Sequence, residues 1–101
     1  MGEILIKVHE SYRWVVAVCD KDLFGRKLHD GKMVLDISTQ FFDGEEMTTE
    51  QAKNQIIRCV NEDATFNFVG EKSVALAKKL GVVTDEGIIH IDGIPFGLVL
   101  L

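Results

Sequence analysis

The sequence predicts an α+β domain: a mainly antiparallel sheet in the order strand, strand, strand, helix, helix, strand, strand, with two central helices packed on it. Three observations carry this reading. β-Branched or alternating runs bounded by polar residues stand towards both ends of the chain, at 4–8, 13–19 and 88–91. Two central stretches space their apolar residues three and four apart, as one face of a helix requires. Asp92-Gly93 separates two apolar runs, and a two-residue turn with positive φ at both positions favours that pair. With 101 residues, 47% of them hydrophobic, nine dispersed glycines and one proline, the chain suits a single compact domain over 1–101 with no linker or repeat.

Taken in order, Ile4, Ile6 and Val8 alternate with Leu5 and Lys7, and Arg13 to Cys19 forms a β-branched run of which Val15 to Cys19 is apolar on both faces, so the second strand should be central. Residues 20–31 read as a long mixed loop with Leu23 and Phe24 as apolar anchors. A third strand follows at Lys32 to Ser38, with Met33, Leu35 and Ile37 on one face. Thr48 stands three residues before Gln51, the spacing of a capping box, and opens a helix whose inner stripe is Ala52, Ile56, Ile57, Cys59 and Val60. A second helix opens at Gly70-Glu71 and runs to Leu80, with Ser73, Val74, Ala77 and Leu80 inward. Lys78 and Lys79 suit the negative end of its dipole, and Gly81 suits a left-handed cap. Phe66 and Phe68, with Trp14, Phe24 and Phe96, are expected in the core. Pro95 should make the last strand irregular at its start or place it at an edge.

The longest apolar run, 97–101, is far short of the roughly 20 residues of a membrane helix, and no export signal opens the chain, so a cytoplasmic protein is expected. Cys19 and Cys59 then read as reduced, buried thiols. The net charge is −5, and residues 36–63 hold seven acidic groups against two basic ones. Asp43, Glu45, Glu46 and Glu50 lie where negative charge favours a helix start, which accounts for them without a ligand. Lys21, Arg26, Lys27, His29 and Lys32 form a basic stretch, interleaved with Asp20, Asp22 and Asp30.

Chemistry is hard to place. The two cysteines and His9, His29 and His90 show no metal-ligand or Cys-His spacing, so no catalytic residue, metal or cofactor is expected. Asn67 to Ser73 is the more suggestive stretch, because the amides of Gly70, Glu71 and Lys72 at a helix start could face an anion. It lacks the glycines of a phosphate loop, Glu71 would repel an anion, and simple capping by Asn67 or Gly70 explains it as well.

Taken together, Ala17-Val18-Cys19-Asp20, Leu23 to Lys27, Phe42 to Glu46, Asn67 to Val74 and Ile91 to Pro95 resemble a family of small archaeal proteins, the domain-of-unknown-function family numbered 424. The likeness runs through essentially the whole chain in the same order. It implies an archaeal, cytoplasmic, single-domain protein and brings no established activity or catalytic residue. Phe96 departs from it, since a polar residue, often His, stands there in similar sequences.

Three functional expectations follow. The first is a non-catalytic binding or adaptor module associated with RNA or with the translation or RNA-processing machinery, using Arg26, Lys27 and Lys32 and the Asn67, Gly70, Glu71, Lys72 segment. Net −5 weighs against strong general nucleic-acid affinity, DNA is not expected, and a protein partner fits as well as RNA. The second is a small enzyme or ligand-binding protein with a pocket between the long loop and the Gly70 helix start, using Cys19, Asp20 or Glu71. The third is homodimerisation through the uncharged C-terminal strand from Phe96, if that strand is not buried in the sheet.

Overall fold

A computed structural model describes residues 2–100. The α+β class and the two helices on a mainly antiparallel sheet are as expected. The sheet has six strands: β1 (Ile4–His9), β2 (Val15–Asp20), β5 (Glu45–Met47), β6 (Thr65–Val69), β7 (Ile88–Ile91) and β8 (Ile94–Val99), in the spatial order β5-β1-β2-β6-β8-β7. Only β2 and β6 run parallel. β3 (Lys27–Asp30) and β4 (Met33–Asp36) form a separate hairpin, and the helices are α1 (Thr49–Asn61) and α2 (Glu71–Lys79).

β2 is central and buried on both faces, with Val16 to Cys19 almost wholly removed from water. Because side chains alternate along a strand, Val16 and Val18 join one apolar cluster and Ala17 and Cys19 the other. Both helices cover the first face, where Ala52, Ile56 and Cys59 of α1 and Val74, Leu76 and Ala77 of α2 meet Ile4, Ile6, Phe66 and Phe68. Phe66 and Phe68 share that face two residues apart, and their rings stack at 5.2 Å. The second face is covered by Leu23, Leu28, Ile37 and Phe42. The segment expected as a long loop is therefore the third layer of the molecule, its β3 strand closing on β4.

Several expectations shift with this layering. The third strand is four residues rather than seven and lies in the hairpin, not in the main sheet. The helices are not consecutive, since β6 stands between them, and Glu45 and Glu46, read as charge at the helix start, lie in the edge strand β5. The capping box of α1 forms, but Ile57 and Val60 face outward, because only the narrower stripe of Ala52, Ile56 and Cys59 meets the sheet. Phe24 is exposed rather than core, while Trp14 and Phe96 are partly buried. The Asp92-Gly93 turn is as expected, with φ of 54° and 77°.

β8 is an interior strand despite Pro95. A residue in an antiparallel strand points its nitrogen and its carbonyl to the same side. The Pro95 carbonyl accepts from the Gly70 N–H at 3.0 Å, so the missing N–H also faces Gly70, whose own carbonyl is taken by the Val74 N–H. No ladder bond is lost. With β8 held between β6 and β7, strand pairing with a second copy would have to use the β7 or β5 edge rather than the C-terminal strand.

Candidate functional site

The Gly70 helix start is already filled from within the chain. Asp20, at the end of β2 and 5% exposed, accepts hydrogen bonds from the Lys72 N–H at 3.0 Å, the Ser73 N–H at 2.8 Å and the Ser73 hydroxyl at 2.8 Å. A carboxylate from 50 residues away thus satisfies the orphan amides of α2 and meets the positive end of its dipole. Gly70 has φ of 108°, and a Cβ there would lie 2.3 Å from the Asp20 carboxyl carbon, so glycine makes room for this cap. Of the amides proposed for an external anion, that of Lys72 is taken by Asp20 and that of Gly70 by the Pro95 carbonyl.

Asn67 is not at the cap. It sits in the middle of β6, paired with Ala17 on one side and Leu98 on the other, because the strand continues to Val69 before the helix begins. Lys72 holds Glu3 at 3.3 Å, which raises its pKa, and Glu71 stays exposed.

Nor do Cys19, Asp20 and Glu71 converge. Cys19 and Asp20 are adjacent in a strand and point to opposite faces of the sheet. Burial, with the Asp20 charge adding to it, pushes the Cys19 thiol up to about 12, so it stays protonated and a poor nucleophile at neutral pH. Two shallow concavities reach the helix start: one of about 290 Å³, lined by Gly2, Glu3, Lys21, Asp22 and Lys72, holds none of those three, and one of about 340 Å³ takes in Glu71 but neither Cys19 nor Asp20. No group of three or more metal-ligating side chains occurs among the described residues.

The basic residues of the former loop have a defined setting. In the β3–β4 register Leu28 faces Leu35 and both turn to the core, while Lys27 faces Asp36 and His29 faces Val34 on the outer side. Arg26 precedes the hairpin, its carbonyl accepting from the Ile37 N–H at 2.8 Å. Lys32 lies in the tip, roughly 15 Å from Lys27 at about 3.3 Å per strand residue. The structure therefore strings these cations along one hairpin and leaves Lys72 apart, at the start of the helix on the other face. Lys21, Lys53, Lys72 and Lys78 each hold a carboxylate, whereas Arg26, Lys27 and Lys32 hold none among the described residues. Asp36, the cross-strand neighbour of Lys27, is hydrogen-bonded by Ser38, whose hydroxyl and amide, with a smaller contribution from the Lys27 charge, hold the carboxyl below its ordinary pKa.

The same hairpin exposes large apolar side chains that sequence reasoning assigned to a buried face or passed over. Met33 is 47% exposed and Val34 57%, with Phe24 beside the hairpin's start also uncovered. The alternation of Met33, Leu35 and Ile37 was legible, but only the sheet placement shows that its first member overhangs the core.

The comparisons with known proteins follow the same outline. Residues 8–100 match the family described as Protein of unknown function (DUF424). The chain belongs to that family. An uncharacterized conserved protein from Methanopyrus kandleri, known from its crystal structure, is similar over 95% of this chain and 89% of that one, at 26% identity and a TM-score of 0.85. No curated protein matches. No helix among the described residues is long and apolar enough to cross a membrane.

Proposed function

We propose that the protein is a binding module that docks an acidic segment of a protein partner on the outer face of the β3–β4 hairpin. The observation that carries this is the hairpin itself, where Arg26, Lys27 and Lys32, which form no ion pair within 4 Å among the described residues, accompany Val34, exposed on the outer face, and Met33, exposed on the opposite face near the tip. Exposed apolar side chains rimmed by charge are the usual composition of a docking surface, and unpaired cations give it a preference in partner charge. A net charge of −5 on the whole chain works against RNA, whose backbone rewards a broad basic surface rather than a local one. The candidate chemical groups support the same reading, since Asp20 is spent on the α2 cap and Cys19 is buried as a thiol. The reading places the protein in the cytoplasm, where Cys19 and Cys59 stay reduced.

The test is a photo-crosslinking residue placed at Val34, with a second protein carrying it at Asn54 on the outer side of α1, each incubated in extract of the source cells. The expected result is a protein adduct from position 34 only, resistant to nuclease and lost when Arg26→Glu and Lys27→Glu are combined. A nuclease-sensitive adduct would replace the protein partner by RNA, and equal labelling from both positions would remove the hairpin as a docking surface.

A further inference from the structure

The two edges of the main sheet are unlike. β5 is three residues long and guarded by Glu45 and Glu46, with Glu46 tied to Lys21 at 2.7 Å and to the Gly2 amide at 2.9 Å. Charge on a short edge is how sheets avoid further pairing. β7, at the other end, reads Ile-Ile-His-Ile, with no carboxylate or lysine and with Ile89 45% exposed.

Its free backbone groups follow from the register. Ile91 and Ile94 flank the two-residue turn and so form a bonded pair, and bonded and unbonded pairs alternate along antiparallel strands. Ile91 and Ile89 therefore turn their groups towards β8, and His90 and Ile88 turn theirs outward. The Ile88 N–H is taken by the Asp85 carbonyl. One donor, the His90 N–H, and two acceptors, the carbonyls of His90 and Ile88, remain on the edge.

A second copy of the chain, offering the same one donor and two acceptors, could close only two bonds and would leave a carbonyl open on each strand. A foreign strand can supply two donors and one acceptor and satisfy all three groups. Its alternate side chains would fall on two different surfaces. On the helix side lies a groove of about 340 Å³ between α2 and β7, lined by Val74, Ala75, Ile88 and Pro95 and by the polar Glu71, His90 and the Lys78–Asp85 ion pair. On the other side lies the hairpin, which packs against β7 and joins it through the Asp92 N–H and the Asp30 carboxylate at 3.4 Å.

We infer that β7 accepts an added strand from the partner protein, an extended segment that alternates apolar residues, seated in the α2–β7 groove, with acidic residues turned to the hairpin cations. This deepens the docking function proposed above and rests on it for the acidic character of the partner. Strand addition of this kind takes affinity from the main chain and specificity from alternate side chains.

The probe is a seven-residue peptide of alternating Val and Glu with blocked ends, titrated into the full chain while backbone amide resonances and hydrogen exchange are followed. Shifts at Ile88–Ile91, in the α2 groove and along the β3–β4 hairpin are expected, with at least tenfold slower exchange of the His90 amide. A peptide with Lys in place of Glu should bind at least tenfold more weakly. His90→Pro, which removes the single donor, should lose binding. Should that variant fail to fold, Ile89→Glu, on the face of β7 turned to the hairpin, sets a carboxylate against the peptide's glutamates and should weaken binding by a similar factor. Shifts at β5, no shifts at all, equal affinity for the Lys peptide, or a His90 amide already protected in the free protein by a second copy would each overturn the inference. Peptide binding at β7 without a Val34 adduct would keep strand addition and remove the hairpin reading. A Val34 adduct without peptide binding at β7 would do the reverse.

Discussion

Asp20 is the side chain on which the helix layer depends most sharply, because it accepts three hydrogen bonds, two from the buried Ser73 and one from the part-buried Lys72 amide. Asp20→Ala should destabilise the fold by about 3 kcal/mol, since the amides and the Ser73 hydroxyl would be left buried and unsatisfied. Asp20→Asn keeps an acceptor for Ser73 and should lose less, about 1–2 kcal/mol, so urea midpoints of the two variants separate the charge from the bond. Cys19 makes a different demand. Its pKa in the folded protein, about 12, lies above the ordinary 9.0, so between those values the unfolded chain releases the proton while the native protein holds it. Stability is then complete below pH 9 and falls as pH rises towards 12, by about 1 kcal/mol per unit at most. Denaturant midpoints at pH 8 and pH 10.5 should show this decline, and Cys19→Ala should make it shallower, with Cys59, also raised by burial, leaving part of it in place.

At the scale of elements, the β3–β4 hairpin is held to the sheet by few side chains, of which Leu28, 1% exposed, is the deepest. Leu28→Ala should destabilise by about 2–4 kcal/mol and loosen the hairpin before the helix layer, seen as faster hydrogen exchange at 27–36 than in α1. Thr48→Ala removes the capping box of α1 and should lose about 1 kcal/mol, measured in the same denaturation. The elements that were legible in the sequence are those with local signals: the Thr48 and Gln51 box, the Asp92-Gly93 turn, the β-branched run of β2. The elements that were not are those whose reason is distant. β6 is a five-residue strand made by parallel pairing to β2, with no turn to announce it, and Asn67 in its middle reads more readily as a cap. β3 is a strand only because Leu28 finds Leu35 across the hairpin and the second sheet face beneath it. The candidate site shows the same division. Arg26, Lys27 and Lys32 could be named from their clustering, but that Met33 and Val34 stand exposed among them depends on the third layer. That Gly70 serves Asp20 rather than an anion depends on a contact across 50 residues.

For the molecule as a whole, three layers divide the work. The helix face carries the larger apolar cluster and is closed by the Asp20 cap, while the opposite face is covered by a thin hairpin whose cations form no ion pair within 4 Å among the described residues. Of the acidic residues only Asp30 and Asp36 lie in the hairpin strands, so the chain presents a local cluster of cations there under a net charge of −5. Association through that surface should weaken with salt, since exposed charges more than about 8 Å apart are screened at physiological ionic strength. The apolar contacts of Met33 and Val34 should persist. The most direct measurement of the docking claim is crosslinking from position 34 in source-cell extract, treated with nuclease and run beside the Arg26→Glu, Lys27→Glu double variant. A discrete protein adduct that survives nuclease and disappears in the double variant is the predicted result; an adduct unchanged by the two substitutions, or none at all, would contradict it.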